Sequence, residues 1–130
     1  MRVRRFLGAL VFAGLMGFAA AKAATITAYD KAAFTAAQHA GKPILVFVEA
    51  PWCPTCAKER PILASLYDTP EFKSLQVFTV DFDTSKPLLH ELHVQMQSTL
   101  IAYRGDHEAA RATGLTDAGA IHALLSKTGT

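Results

Sequence analysis

The sequence predicts an α/β domain in which helices flank a central mixed β-sheet on both faces. The apolar run at residues 44–48 is uninterrupted, as in a strand that is covered on both faces. Helix signals alternate with such short apolar runs from residue 25 onward, which is typical of parallel β-α-β crossovers. A tight turn at 104–106 joins the last two predicted strands, so the end of the chain adds an antiparallel hairpin.

The first part of the domain contains two predicted strands separated by a helix. Residues 25–28 are consistent with a short first strand. Asp30 can cap a helix over 31–40, which a glycine can then end. The central strand follows at 44–49, and a second helix extends over 53–68.

The second half of the domain carries weaker but regular signals. Pro61 lies inside the second helix and should kink it. A strand at 75–82 and a helix from 85 to about 92 come next. The hairpin strands are predicted at 99–103 and 107–112, and the second has a weak strand pattern that is consistent with the edge of a sheet. A last helix is predicted through residue 127, with the threonine and aspartate at 116–117 as its cap. The predicted order is β-α-β-α-β-α-β-β-α.

The first residues have the pattern of a secretory signal peptide. Residues 1–5 are basic, 6–21 are apolar, and small residues follow at 19–24. Cleavage after Ala23 or after Ala21 would fit the A-x-A rule. An uncleaved membrane anchor is the alternative, although the apolar segment is shorter than the roughly 20 residues of a membrane-spanning helix. We expect a periplasmic or otherwise exported protein.

Removal of the signal peptide, residues 1–23, leaves one predicted domain at 24–130. The full chain carries 13 basic and 11 acidic residues, for a formal charge of +2. Four basic residues and no acidic residue lie in the first 23 positions, so the domain itself carries −2. A domain without a basic excess is not expected to bind nucleic acid. Its length predicts a single core, and we expect a monomer.

The sequence WCPTC at residues 52–56 holds the only tryptophan and both cysteines of the chain. It lies between a predicted strand and a predicted helix. A Cys-x-x-Cys pair at a helix N-terminus is a redox site, because the helix amides and dipole favour a thiolate on the first cysteine. We expect Cys53 to be the reachable nucleophile and Cys56 the less accessible resolving thiol. A purely structural disulfide is the alternative, but so short a loop removes little chain entropy.

The domain resembles the thioredoxin family over nearly its whole length. Residues 42–47 are similar to the strand that leads into a thioredoxin active site, and 50–56 to the active-site loop. Pro61 falls where thioredoxins carry the proline that kinks this helix. Residues 99–105 are similar to the strand and turn after the substrate loop. The resemblance implies a thioredoxin-like fold and exchange with protein thiols and disulfides, with no cofactor and no metal ion.

The predicted substrate loop departs from the family pattern. Thioredoxins normally carry a cis-proline just before the strand that begins here at Thr99, whereas this chain has Ser98. A cis bond before a residue other than proline costs roughly 3 kcal/mol, so we expect a trans bond and a loop of altered shape. The resemblance implies that this loop, with Met96, Gln97, Ser98 and Thr99, faces the disulfide and contacts substrate backbone.

A second departure concerns a buried acid. Phe47 stands where thioredoxins usually carry an aspartate that accepts a proton as the second cysteine attacks. Glu49 shares that strand face by alternation and could replace the aspartate, or could be a solvated carboxylate at the end of the strand. Glu59, three residues after Cys56, is a weaker candidate that we expect at the surface.

Three neighbours of the cysteines have expected supporting roles. Trp52 either packs beside the sulfur atoms and shields them or is a core aromatic residue. Pro54 rigidifies the turn and removes a backbone N–H. Thr55 is neutral, whereas strong oxidants of the family often place a histidine at that position. The sequence therefore favours a reductase or electron relay over a primary oxidant, kept reduced by a membrane-bound donor.

A binding protein of a different class is the alternative function. Cys53 and Cys56, with Met96 as a third ligand, could hold Cu(I) or another soft metal ion in a carrier. The motif itself contains no methionine or histidine to complete such a site, which favours the enzyme. His90 and His93 are spaced for one helix face, but lone surface histidines are the more ordinary interpretation.

Overall fold

The computed structural model describes residues 23–129, so nearly all of the predicted signal peptide lies outside the described residues. The elements occur in the predicted order, with one added turn of 3₁₀ helix at Pro70–Phe72. The strands are β1 (Thr25–Ala28), β2 (Pro43–Glu49), β3 (Gln76–Asp81), β4 (Thr99–Arg104) and β5 (His107–Thr113). The helices are α1 (Lys31–His39), α2 (Pro54–Tyr67), α3 (Lys86–Glu91) and α4 (Ala118–Ser126).

Local sequence signals explain where several helices begin. The side chains of Asp30 and Asp117 cap α1 and α4, because each accepts a hydrogen bond at 2.8 Å from the backbone N–H three residues later. Pro54 occupies the first turn of α2, where a missing N–H leaves no hydrogen bond unmade.

Within the described part of the chain, no helix combines the length and the hydropathy that a membrane span requires.

The five strands of the described chain form one mixed sheet in the order β1-β3-β2-β4-β5. β3 pairs in parallel with both β1 and β2. β4 is antiparallel to β2, and β5 is antiparallel to β4. The predicted crossovers followed by a hairpin are confirmed. Since β2 is the central strand and is hydrogen-bonded on both sides, the loop that leaves it starts from the middle of the sheet.

Helices cover both faces of the sheet, and alternation along β2 divides the core into two clusters. Leu45 and Phe47 belong to the cluster that α2 and α4 complete. Ile44, Val46 and Val48 belong to the cluster on the side of α1 and α3. None of these five side chains is more than 4% exposed. The uninterrupted apolar run is thus a strand covered on both faces, as predicted.

Candidate active site

The end of β2 delivers both cysteines to the start of α2. Cys53 is the N-cap of the helix, and its backbone N–H donates to the Ala50 carbonyl oxygen at 3.2 Å. Cys56 lies in the first turn of α2, with its Cα atom 5.2 Å from that of Cys53, and the two residues form a disulfide. Pairing of β2 on both sides and the helix cap therefore hold the sulfur atoms where strand and helix meet.

The helix N-terminus provides a polar environment for the first sulfur atom. The backbone N–H of Cys56 donates to Cys53 Sγ at 3.0 Å. The unpaired amides and the dipole at a helix N-terminus stabilise negative charge. In the reduced protein the same amide would donate to a Cys53 thiolate and stabilise its negative charge.

Burial does not distinguish the two cysteines in the disulfide form. Cys53 is 1% exposed and Cys56 is fully buried. The disulfide form therefore leaves neither cysteine exposed, and the expectation that the Cys53 thiolate of the reduced protein is reachable stays a prediction. The electrostatic environment, rather than exposure, is what sets Cys53 apart from Cys56.

Trp52, which precedes Cys53 in the sequence, lies at the surface, and 56% of its area is exposed. Its indole N–H donates to Asp83 Oδ2 at 2.7 Å, and its ring meets Phe82 edge to face with centroids 6.5 Å apart. The interpretation as a core aromatic residue is wrong, because these contacts hold the ring over the loop after β3. Of the other two motif neighbours, Pro54 is exposed and Thr55 is half-buried.

The loop before β4 is held by backbone hydrogen bonds of Ser98. The backbone N–H of Ser98 donates to the Val48 carbonyl oxygen at 2.8 Å, and its carbonyl oxygen accepts from Gly114 at 2.8 Å. The bond that precedes Ser98 is trans, as predicted, and Ser98 adopts a left-handed φ of +62°. Such a φ costs about 1 kcal/mol or more for a residue with a Cβ atom.

The remaining loop residues differ in exposure. Met96 is 54% exposed, Gln97 is half-buried, and Thr99 is buried. The hydroxyl of Thr99 donates to the Met96 carbonyl oxygen at 2.7 Å, which closes the loop on itself. An exposed thioether beside a fixed backbone is a surface that an incoming chain could contact.

Glu49 is engaged in an ion pair at the end of β2. Its Oε2 atom accepts from Arg60 Nε at 2.9 Å, and another guanidinium nitrogen of Arg60 donates to the Ala50 carbonyl oxygen at 3.0 Å. Both side chains are partly exposed. Phe47, on the same strand face, is 4% exposed and apolar. Glu49 therefore ties the end of β2 to α2.

Glu59 is fully buried, so the expectation that it lies at the surface is wrong. Neither of its carboxyl oxygens has a hydrogen-bond partner in ordinary geometry. Burial raises the pKa of Glu59 to about 7, an effect that the Ser98 hydroxyl and the Arg60 charge partly offset. The Ser98 hydroxyl thus faces the carboxyl, although the two lie outside full hydrogen-bond geometry and Ser98 Oγ has no other partner.

The sequence did carry a signal for this burial. Cys56, Glu59 and Leu63 are spaced by three and four residues, which places them on one face of α2, and all three are at most 1% exposed. Because glutamate is polar, we did not assign it to the buried face that this spacing indicates.

His90 and His93 are exposed, and no group of three or more metal-ligating His, Cys, Asp or Glu side chains occurs among residues 23–129.

A closable dithiol at a helix N-terminus, on a mixed sheet of this topology, defines a thiol–disulfide oxidoreductase. Residues 25–127 match the family model described as Thioredoxin. The chain belongs to the thioredoxin family, and the fold class predicted from the sequence is confirmed.

Individual relatives agree with this assignment. A thioredoxin of Mycobacterium tuberculosis is 30% identical over 105 residues, which cover 81% of this chain and 90% of that protein. A bifunctional thioredoxin reductase/thioredoxin of Mycobacterium leprae is 28% identical over 78% of this chain, which spans only 22% of that longer protein. The crystal structure of Trxlp from Edwardsiella tarda is 42% identical, with a TM-score of 0.76, over 78% of this chain and 98% of that one.

Proposed function

We propose that this protein is an exported thiol–disulfide oxidoreductase that passes electrons to disulfides of other proteins. The observation that carries the proposal is the position of Cys53, whose sulfur accepts a backbone N–H at the N-terminus of α2. That environment stabilises the thiolate, which is the attacking form in disulfide exchange. Cys56 lies one turn further in, within bonding reach of Cys53.

Exchange proceeds in two displacements. In the first, the Cys53 thiolate attacks one sulfur of a partner disulfide, a mixed disulfide forms, and the other partner sulfur leaves as a thiolate. In the second, Cys56 gives up its proton and attacks Cys53 Sγ, the Cys53–Cys56 bond forms, and the second partner thiolate leaves. Two electrons pass from the dithiol to the partner, and a donor of the dithiol class must supply them again.

The direction of electron flow is proposed from the residues between the cysteines. Pro54 and Thr55 provide no cationic side chain to stabilise the Cys53 thiolate further, so the reduced form gains no strong preference. We propose that the protein is a monomeric reductase or electron relay, and that a membrane-bound donor reduces its disulfide again after each exchange. Export is supported by the basic, apolar and small-residue pattern of residues 1–23.

The redox potential of the Cys53–Cys56 pair, measured against glutathione buffers, tests this direction. A reductase or relay should give a value nearer the roughly −270 mV of reducing members than the roughly −120 mV of strongly oxidising ones. The purified domain should also reduce insulin when a small dithiol is supplied, whereas a variant with both cysteines changed to serine should not. A potential near the oxidising end would contradict the proposed direction while leaving exchange intact.

Export has a separate test. Expression of the full chain in a bacterium, followed by fractionation and N-terminal sequencing, should give a periplasmic protein that begins at Ala24 or Lys22. Recovery of the intact chain from Met1 in the membrane fraction would instead support the anchored alternative.

A further inference from the structure

We propose that Glu59 accepts the proton of the Cys56 thiol during the second displacement, and that the Ser98 hydroxyl orients its carboxylate. The proposal rests on the exchange function stated above. The proton acceptor for Cys56 would then be a residue of helix α2, and Ser98 would connect it to the loop before β4.

The helix places the acid beside the resolving cysteine. Glu59 follows Cys56 by three residues, and side chains at this spacing are neighbours on a helix surface, with Cβ atoms roughly 5–6 Å apart. Both residues are fully buried, on the face of α2 that packs against the sheet. A proton that leaves Cys56 therefore has a carboxylate close by and no direct contact with bulk water.

The carboxyl group lacks the partners that a purely structural role would provide. A buried polar group is normally hydrogen-bonded, yet both oxygens of Glu59 are unpartnered in the disulfide form. In that form Cys56 has no proton to donate. Reduction creates an S–H group on Cys56, which supplies a donor for the carboxylate. The unpartnered carboxyl oxygens of Glu59 could thus accept a hydrogen bond from the Cys56 thiol that forms when the protein is reduced.

Ser98 is fixed so that its hydroxyl meets this carboxyl. Its backbone is strained, and hydrogen bonds to Val48 and Gly114 hold it in place. Its Oγ atom is buried without another partner and lies near enough to Glu59 to lower the pKa of the acid. The loop before β4 therefore lies next to the acid that we assign to Cys56.

The other charged and titratable groups around Glu59 are already accounted for. Arg60 of α2 lowers the pKa of Glu59 but is bound to Glu49, and Glu49 of β2 raises it. Burial is the largest cause of the raised pKa. Tyr67, further along α2, is buried and its pKa is itself raised, so it stays neutral near pH 7. Glu49 differs from Glu59 in being partly exposed and ion-paired with Arg60.

The proposed step balances. The Glu59 carboxylate takes the proton from Cys56 Sγ as that sulfur attacks Cys53 Sγ. The Cys53–Cys56 bond forms, the bond from Cys53 to the partner sulfur breaks, and the partner leaves as a thiolate with the electron pair. When a donor later reduces the disulfide, Glu59 returns the proton to Cys56.

Ellman's reagent separates the two displacements, because each releases one coloured thiolate from the reduced protein. The first release reports attack by Cys53, and the second reports attack by Cys56. Glu59→Gln should slow the second release about ten- to a hundredfold while changing the first less than twofold, since a positioned base contributes on the order of a hundredfold or more. Ser98→Ala should slow the second release several-fold. Glu91→Gln, the same change at an exposed carboxylate of α3, is the matched control.

The pH dependence provides a readout that packing damage would not produce. In the wild type the second release should rise with pH through the titration of Glu59, and this inflection should vanish in Glu59→Gln. Glu59→Asp, which keeps an acid, should recover part of the rate, and melting curves should show that each variant is folded.

Three outcomes would overturn the assignment. An unchanged second release in Glu59→Gln would show that Glu59 has no such role, although exchange itself stands. A selective loss in Glu49→Gln instead would assign the acid to β2. Failure of the wild type to release either thiolate would overturn the exchange function, and this role of Glu59 with it.

Discussion

The backbone N–H of Ser98 donates to the carbonyl oxygen of Val48 at 2.8 Å, so the loop before β4 is tied directly to the strand that carries the cysteines. The bond holds Ser98 in a left-handed conformation that few residues other than glycine adopt. Restraint of this loop therefore comes from tertiary hydrogen bonds, at the cost of local backbone strain.

Substitutions at Ser98 should separate strain from hydrogen bonding. Ser98→Pro removes the donor to Val48 and cannot adopt a φ of +62°, so it should lower the free energy of unfolding by more than about 1 kcal/mol. Ser98→Gly should be about 1 kcal/mol more stable than Ser98→Ala, because glycine relieves the strain and both lack the hydroxyl. Urea denaturation of the oxidised proteins measures both differences. A Ser98→Pro variant as stable as the wild type would show that the loop can rebuild without this hydrogen bond.

Glu59 should make the stability of the oxidised protein depend on pH. Its pKa is about 7 when folded, against 4.5 for the unperturbed group. The folded protein therefore binds more protons between these two values, and the free energy of unfolding falls as the pH rises through that window. The full loss is on the order of 3 kcal/mol above pH 7.

Glu59→Gln isolates this contribution, because it keeps the shape of the side chain without its charge. The stability of Glu59→Gln relative to the wild type should increase by about 3 kcal/mol from pH 4 to pH 8. Urea denaturation across that range, in the same buffers for both proteins, measures the difference. A difference that does not change with pH would mean that Glu59 is not titrated in the buried site.

The ion pair between Glu49 and Arg60 should make only a small contribution to stability. Both side chains are partly exposed, and pairs of this kind contribute roughly 1 kcal/mol or less. Glu49→Gln should therefore lower the melting temperature slightly, and added salt should reduce the difference from the wild type. A loss of several kcal/mol that salt does not alter would indicate a buried role that the partial exposure of Glu49 does not suggest.

Sequence patterns predicted the fold because each element carried its own local signal. The apolar run of β2, the aspartate caps of α1 and α4, and the turn between β4 and β5 are all short-range features. The predicted surface position of Glu59 was wrong because a lone glutamate usually lies at the surface. Its spacing from Cys56 and Leu63, however, places it on the buried face of α2. The spacing is visible in the sequence, but the polarity of the residue opposes it.

The conformation of Ser98 and the exposure of Trp52 had no comparable local signal. The left-handed φ of Ser98 depends on partners that lie in β2 and beyond β5, far away in the sequence. Trp52 is held at the surface by Asp83 and Phe82, which follow β3. Both features depend on how distant loops meet at one end of the sheet, which hydrophobic periodicity does not encode.

The division of labour between the two cysteines is the central claim, and trapping of mixed disulfides tests it most directly. Cys53→Ser and Cys56→Ser variants are each mixed with a disulfide-containing protein such as insulin, and adducts are identified by non-reducing electrophoresis and mass spectrometry. We predict that Cys56→Ser accumulates an adduct joined through Cys53, because no thiol remains to release it, and that Cys53→Ser accumulates none. Adducts joined through Cys56 in the Cys53→Ser variant, with none in Cys56→Ser, would contradict the account.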